Sequence, residues 1–264
     1  MKFSVRVRLI LVLGVIAALF AACNRDPNVR KQKFFQSGQQ YFEKGQYQEA
    51  ALEFSNAVRI DSGYADAYFQ LGQCYLRLKK WSEAYQALSR TLEIRPDNYR
   101  AQLDVANLLV ASRNLRQAKE HIDLLLDKQP NDPQVHIAAA NLLSAQDDLN
   151  AAMQEAEKAV ALAPGQSQPY LALALLQDRA KRPEAAEANL KKAIELDPKN
   201  VDAQLALGNY YQSRGDSAAA EQQLRQTIAI APHSTEARVT LARVLMTQGK
   251  RAETEAFLKQ SKND

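Results

Sequence analysis

The sequence contains few of the residues from which active sites, metal centres and cross-links are usually built. Its 264 residues include two cysteines and three histidines, and no two histidines lie at a spacing that suits a metal ion. A glycine-rich phosphate loop, a Gly-x-Ser-x-Gly nucleophile turn and a recognisable Ser–His–acid set are also missing. We therefore expect no catalytic residues, no metal and no cofactor.

An excess of charge of one sign is missing as well. The 34 Lys and Arg residues include three within the first 22 positions, so the rest nearly balance the 30 Asp and Glu residues. The sequence shows no basic stripe and no interleaving of basic and aromatic residues, both of which are typical of nucleic-acid-binding proteins. We therefore do not expect nucleic acid as a partner.

The one long apolar run lies at the N-terminus. Three basic residues precede an uncharged run from Leu9 to Ala22, which is shorter than the roughly 20 residues of a membrane-spanning helix. A basic start followed by a short apolar run is the pattern of a secretory signal peptide. The run ends in Leu-Phe-Ala-Ala before Cys23, and this ending resembles the signal of bacterial lipoproteins.

That resemblance implies a signal peptide over residues 1–22, acylation of Cys23 and a tether over residues 23–30. The protein would then be exported and membrane-anchored, facing the periplasm. Asn24 is not the Asp that retains lipoproteins in the inner membrane of enteric bacteria, which favours the outer membrane. An uncleaved anchor and an ordinary signal with a chance cysteine are the alternatives. Once Cys23 is acylated, no internal disulfide is possible, and Cys74 is expected to be a small buried side chain.

From residue 31 onward the pattern repeats every 34 positions without an insertion. The eighth position of each block is Gly or Ala, and Ala at the twentieth and Pro at the thirty-second recur in most blocks. A fixed period of this length indicates stacked structural units rather than one globular core. The blocks are residues 31–64, 65–98, 99–132, 133–166, 167–200, 201–234 and 235–264.

Each block predicts two amphipathic helices that form a hairpin. Apolar residues recur at helical spacing, and the small residues at the eighth and twentieth positions let the two helices approach closely. The proline at the thirty-second position ends the second helix, whereas Pro133 and Pro183 lie where a helix begins. Residues that can cap the following helix close most blocks, namely Asn98, Asp132, Asn200 and Ser234.

The blocks resemble the tetratricopeptide repeat (TPR). In block two the matching residues are Tyr68, Leu71, Gly72, Tyr75, Ala84, Leu88 and Pro96. Blocks three to five depart from the pattern, with Gln102, His136 and Gln177 where bulky residues are usual. The resemblance implies an all-α TPR solenoid of helix-turn-helix repeats that forms a right-handed superhelix. It also implies a concave groove lined by the first helices, and protein binding.

Two positions of each first helix are candidates for this groove. The fifth and ninth positions lie one turn apart on one face, and in tetratricopeptide proteins they commonly face the groove. The fifth is apolar in every block, and the ninth is mostly Asn or Gln, whose donors and acceptor match a peptide group. The candidate peptide-binding residues are Phe35, Gln39, Phe69, Gln73, Leu103, Asn107, Ile137, Asn141, Leu171, Leu205, Asn209 and Val239.

Two simpler explanations compete with this interpretation. Asn is frequent at the ninth position of such repeats generally, and the fifth position can serve packing alone. The basic clamp by which chaperone-binding repeats hold acidic peptide C-termini is missing, because Phe35 stands where Lys would be needed.

The last block has an aromatic residue, Phe257, at the twenty-third position, which is polar in most other blocks. An aromatic at such a position suggests a covered surface, so we expect self-association or a further partner at this C-terminal face. The alternative is a frayed last helix with one exposed ring, since single exposed apolar residues are common.

Together these features predict a non-catalytic, membrane-anchored scaffold of the bacterial cell envelope that binds protein or extended peptide segments and assembles complexes. The arrangement is similar to that of type IV pilus biogenesis and exopolysaccharide-system lipoproteins. One alternative is a pilotin-like lipoprotein that assembles a type IV pilus secretin. Another is an interaction or targeting subunit of an exopolysaccharide or protein-sorting system whose catalysis lies in a partner.

Overall fold

A computed structural model describes residues 26–260, and this part of the chain contains helices and no strands. The predicted signal peptide and Cys23 lie outside the described residues. The described helices are α1 Pro27–Glu43, α2 Tyr47–Ile60, α3 Ala65–Arg77, α4 Trp81–Ile94, α5 Tyr99–Ala111, α6 Leu115–Lys128, α7 Pro133–Ala145, α8 Leu149–Leu162, α9 Ser167–Arg179, α10 Pro183–Leu196, α11 Val201–Ser213, α12 Ser217–Ile230, α13 Thr235–Thr247 and α14 Arg251–Gln260.

Every 34-residue block contributes two of these helices, so the all-α repeat architecture predicted from the sequence is confirmed. The helices belong to two compact units, whose boundary along the chain falls between residues 112 and 113. The first unit contains α1–α5, and the second contains α6–α14. Within each unit a helix packs mainly against its neighbours in sequence, so consecutive hairpins of one unit stack on one another. Among residues 26–260, no helix combines the length and the apolarity needed to cross a membrane.

Small residues at the eighth position are required because a large side chain from the second helix lies directly against them. A Cβ atom built on Gly38 would come within 2.7 Å of the Phe54 ring. Phe54 is itself fully buried and has little space to move. The same close approach occurs where Gly72 meets Leu88 and where Gly208 meets Leu224.

The helix ends also follow the sequence prediction. Pro133 and Pro183 are the first residues of α7 and α10. The predicted caps each accept a hydrogen bond from a backbone N–H in the first turn of the next helix, at 2.8–3.3 Å. These caps are Asn98, Asp132, Asn200 and Ser234. Each satisfies a backbone donor that the helix cannot satisfy itself.

The turn inside each hairpin has a feature that the sequence analysis missed. The fifteenth residue of every block has a positive φ, between 57° and 78°. In every block except the third, the next N–H donates to a carbonyl five residues earlier, as from Lys80 to Tyr75 at 2.9 Å, which closes the first helix. The residues in this left-handed conformation are Gly45, Lys79, Arg113, Asp147, Lys181, Gly215 and Gly249.

Candidate functional site

In the first unit, the fifth positions of the first helices contribute mainly to packing. Phe35 of α1 is half-buried, and its ring centroid lies 5.5 Å from that of Phe54 and 5.1 Å from that of Tyr64. Phe69 of α3 and Leu103 of α5 are also half-buried. These candidate residues therefore expose only part of their apolar surface to a ligand.

The ninth positions of the same unit differ from one another. Gln39 and Asn107 are exposed, whereas the side chain of Gln73 donates a hydrogen bond to Asp104 at 2.6 Å. Burial raises the pKa of the Asp104 carboxyl, and the hydrogen bond from Gln73 opposes that effect. Part of the Gln73 amide is thus already engaged within the protein, while Gln39 and Asn107 are accessible.

In the second unit the two positions separate into a buried layer and an exposed row. Ile137, Leu171 and Leu205 at the fifth position are at most 7% exposed. Asn141 and Asn209 at the ninth position are exposed, and their side chains form no hydrogen bond with the described part of the chain. The amides therefore project from a packed apolar layer, as a peptide-binding row requires.

An open cavity of about 430 Å³ lies against α9, α11 and α13 of this unit. Leu205 and Asn209, two of the candidate residues, line it together with Leu175, which is 51% exposed. Leu175 holds the ninth position of its repeat, so ninth positions of neighbouring repeats face a common space. The cavity thus offers apolar contact and an amide side by side.

The cavity is also acidic, which the sequence analysis missed. Asp178, Asp202 and Glu236 line it. Asp178 accepts a charge-assisted hydrogen bond from Arg214 at 2.7 Å, whereas Asp202 and Glu236 form no ion pair with another described residue. Asp202 and Glu236 share the second position of adjacent repeats, and that recurrence was the available signal. Two unpaired carboxylates favour a ligand that carries positive charge.

Val239 is separated from the other candidate residues. It is 50% exposed and lines a different cavity of about 580 Å³, together with Leu258 of α14. The fifth position of the last repeat therefore belongs to the C-terminal end face of the stack. Leu171 and Ile137 line neither of these two cavities.

His136 and Cys74 have structural surroundings. His136 is buried, with Nδ1 2.7 Å from Glu155 and Nε2 2.9 Å from the carbonyl of Pro130. Cys74 is fully buried, and desolvation raises the pKa of its thiol to about 12, so it is the small buried side chain that we expected. No group of His, Cys, Asp and Glu within residues 26–260 could hold a metal ion.

His136 also explains how some repeats dispense with a bulky residue at the fourth position. Gln102 and Gln204 hold the same position as His136 in their own repeats, and each donates to the carbonyl of the preceding proline, at 3.3 Å and 3.0 Å. The hydrogen bond fixes the first helix to the turn before it. Polar residues at this position therefore replace aromatic packing with a hydrogen bond.

Family models match most of this chain. Models described as tetratricopeptide repeat match residues 76–142, 133–166, 167–200, 189–222 and 211–264. A model described as TPR repeat matches residues 38–79. Comparison with curated proteins gives no match.

Solved structures of the same architecture are similar at low sequence identity. A chain of the APC/C hetero-tetramer Cut9–Hcn1 superposes with a TM-score of 0.66 at 16% identity, over 88% of this chain but only 46% of that one. A thermophilic TPR protein of Thermus thermophilus gives a TM-score of 0.66 at 21% identity, over 69% of this chain and 99% of its own. PilW, a type IV pilus biogenesis factor, gives 0.62 at 20% identity, over 80% and 98%. At these identities the likeness concerns the fold.

Proposed function

This chain belongs to the tetratricopeptide repeat family, and we propose that it is a non-catalytic scaffold, held on a bacterial membrane by acylated Cys23, that binds extended segments of partner proteins. Repeats of this family indicate a protein–protein interaction scaffold, and the fold is typical of proteins without catalytic activity. The observation that carries the proposal is the exposed row at the ninth position above a buried apolar layer.

The spacing of the row suits an extended chain. Packed helices lie about 8–10 Å apart, and an extended peptide advances about 3.3 Å per residue. One side chain per repeat therefore meets about every third residue of the ligand. Because an Asn side chain pairs with a peptide group rather than with a particular side chain, the row alone gives affinity with little sequence preference.

The cavity in the second unit adds a preference. Leu175 and Leu205 offer apolar surface, Asn209 offers an amide, and Asp202 and Glu236 offer carboxylates that pair with no described residue. The segment that best fits carries an apolar side chain next to Lys or Arg. We propose such a basic-apolar segment, in extended conformation, as the ligand of repeats five to seven.

Site-specific photo-crosslinking tests the groove in envelope membranes. A photoreactive residue at Asn209 is expected to capture a defined partner, whereas the same residue at the exposed Glu157 of α8 is not. The affinity of the captured partner for purified variants of this protein is then measured. Leu175→Ala and the double change of Asn141 and Asn209 to Ala are expected to weaken binding about tenfold or more. Unchanged affinity in both variants would exclude the groove as the binding site of this partner.

The membrane anchor needs a separate test because it does not depend on the groove. Cells that express the full chain are grown with labelled palmitate, and the label is expected on the wild type and not on Cys23→Ser. Fractionation of the envelope then assigns the inner or the outer membrane, of which we propose the outer. Label that persists on Cys23→Ser would refute acylation at this residue.

The likeness to PilW motivates a second candidate function, a pilotin-like lipoprotein that assembles the secretin of a type IV pilus. Deletion in a piliated host would then abolish secretin multimers and leave the level of secretin monomer unchanged. Normal multimers after deletion would leave the general scaffold as the function.

A further inference from the structure

The last repeat exposes two side chains whose equivalents in the other repeats of the second unit are buried. Leu258 is 44% exposed, whereas each of its six equivalents at the twenty-fourth position is at most 2% exposed. Those equivalents are Phe54, Leu88, Ile122, Ala156, Leu190 and Leu224. Val239 is 50% exposed, whereas its equivalents Leu171 and Leu205 are 5% and 7% exposed. The end face of the stack therefore presents an apolar surface that the other repeats cover.

The second unit itself shows what covers such a surface. Leu171 and Leu190 belong to one apolar cluster with three residues of the next first helix, α11, which are Ala203, Leu207 and Tyr210. Leu205 and Leu224 belong to another cluster with three residues of α13, which are Ala237, Leu241 and Val244. In both cases the covering helix carries Ala at i, Leu at i+4 and a larger apolar residue at i+7, which share one face.

The exposed surface forms a concave site. Val239 and Leu258 line a cavity of about 580 Å³ between α13 and α14, with Glu255 and Lys259 beside them. Phe257, which the sequence analysis singled out, is half-buried and packs against the cluster that contains Leu241 and Leu245. The surface offered to a partner is therefore centred on Leu258 and Val239 and not on Phe257.

We propose that this end face binds an amphipathic helix of another protein, which stacks on α13 and α14 as α11 stacks on α9 and α10. The interface would continue the one that joins consecutive repeats of the second unit. The partner helix carries a small residue, Leu and a larger apolar residue at i, i+4 and i+7. The site is separate from the first-helix groove and needs a helical ligand, whereas the groove is proposed to bind an extended one.

Head-to-tail stacking of a second copy does not fit the end face. At the three positions that cover the preceding repeat, α1 carries Lys33, Ser37 and Gln40, where α11 and α13 carry apolar residues. Stacking α1 on Leu258 would bury the Lys33 ammonium group without an assigned partner, which is costly. The polar face of α1 instead resembles the polar cap of a repeat stack.

A helical peptide tests this proposal on the full chain. The probe is a fluorescein-labelled peptide with the sequence of residues 234–250, which contains Ala237, Leu241 and Val244 and begins with the capping Ser234. Fluorescence anisotropy is expected to show saturable binding. Leu258→Glu and, independently, Val239→Glu are expected to weaken it about tenfold or more. Leu52→Glu is the matched control, because Leu52 is 59% exposed on α2, and it is expected to bind normally.

A second probe with Glu in place of Leu241 is expected to lose binding to the wild-type chain. Circular dichroism checks that both end-face variants fold, which their exposed positions favour. The proposal is wrong if the first probe does not bind or if neither end-face variant weakens it. It is also wrong if light scattering shows a dimer that Leu258→Glu converts to a monomer, because a second copy then occupies the face.

Discussion

The hairpin turns place one residue per repeat in the left-handed region, and four of the seven repeats use a residue with a side chain there. Lys79 is one of them, with a φ of 57°. The left-handed conformation costs a residue with a Cβ about 1–2 kcal/mol, whereas glycine adopts it freely. Replacing such a residue by glycine therefore removes this cost. The extra freedom of glycine in the unfolded chain offsets part of that stabilisation, by about 0.4–1 kcal/mol. We expect Lys79→Gly to raise the free energy of unfolding by about 0.5–1 kcal/mol, measured by urea denaturation.

The neighbouring lysine provides the control for this prediction. Lys80 has a φ of −90° and immediately precedes α4, so glycine relieves no strain there. Lys80→Gly is expected to lower stability or to leave it unchanged. If both substitutions change stability in the same direction, the strain at the fifteenth position is not the cause.

A second prediction at the residue scale concerns the contact between Gly38 and Phe54. Gly38→Ala places a methyl group against the buried ring, and overpacking costs about 1–3 kcal/mol, against a gain of about 1 kcal/mol in helix propensity. We expect a net loss of about 1 kcal/mol in the free energy of unfolding. In a Phe54→Ala background the same change fills space and is expected to be stabilising.

Repeat four gives the physical reason for this reversal. It carries Ala140 and Ala156 at the positions of Gly38 and Phe54, and both are fully buried. A small residue on each helix is therefore an arrangement that this fold already uses. Urea denaturation of the four proteins in the cycle measures the coupling, and simple additivity would contradict the steric explanation.

At the scale of the helix, the boundaries were predictable because they depend on local chemistry. Proline removes a backbone donor, and Asn98 or Asp132 supplies an acceptor to the next helix, so these residues can be interpreted without tertiary contacts. The left-handed turn was missed because Lys79, Arg113, Asp147 and Lys181 do not signal it as glycine would. Only the alignment with Gly45, Gly215 and Gly249 identifies the position.

An ion-pair cluster that joins the last two hairpins allows a prediction with pH. The Glu221 carboxylate in α12 accepts hydrogen bonds from Lys250 Nζ at 2.7 Å and from Arg225 Nε at 3.0 Å. These donors, Lys250 first, hold the pKa of Glu221 below its ordinary value. Because the folded-state pKa is lowered, the cluster stabilises the fold above the unfolded pKa of about 4.3, and the contribution is lost as pH falls through the folded pKa.

Glu221→Gln is therefore expected to lower the free energy of unfolding by about 0.5 kcal/mol at neutral pH, since both cations are partly exposed. The difference from the wild type is expected to shrink as pH falls through the folded-state pKa of Glu221 and to vanish below it. Asp123→Asn removes a pair with Lys119 whose two side chains are 56% and 58% exposed, and it should have a smaller effect. An equal loss for Glu221→Gln at both pH values would show that the carboxylate charge is not responsible.

At the scale of the molecule, the sequence predicts the fold, but it predicts the chemistry of the candidate site only in part. The period places Ile137, Leu171 and Leu205 on one face of their helices, but it does not state whether that face meets a ligand, as we expected, or packs within the protein, as their burial shows. The cavity depends on side chains from several repeats at once, and Asp202 and Glu236 come together only when α11 packs beside α13. Likewise, the exposure of Val239 and Leu258 could not be predicted, because it depends on whether a further helix covers them, and the repeat pattern does not indicate this.

Because helices in the second unit contact mainly their neighbours, damage to one interface should stay local. Leu224 of α12 is fully buried and packs against Leu241 of α13, and truncation of such a leucine costs about 2–5 kcal/mol. In a single cooperative core this loss would be shared by every element, whereas in a stack it falls on the adjoining hairpins. We expect Leu224→Ala to accelerate amide hydrogen exchange in α13 and α14 strongly, and in α7 and α8 very little.

Leu162→Ala, at a residue that is 39% exposed, is the control and should change exchange in neither pair of helices. Hydrogen exchange read by mass spectrometry resolves these segments, and an equal acceleration in α7 and α14 would show that the unit unfolds as one body.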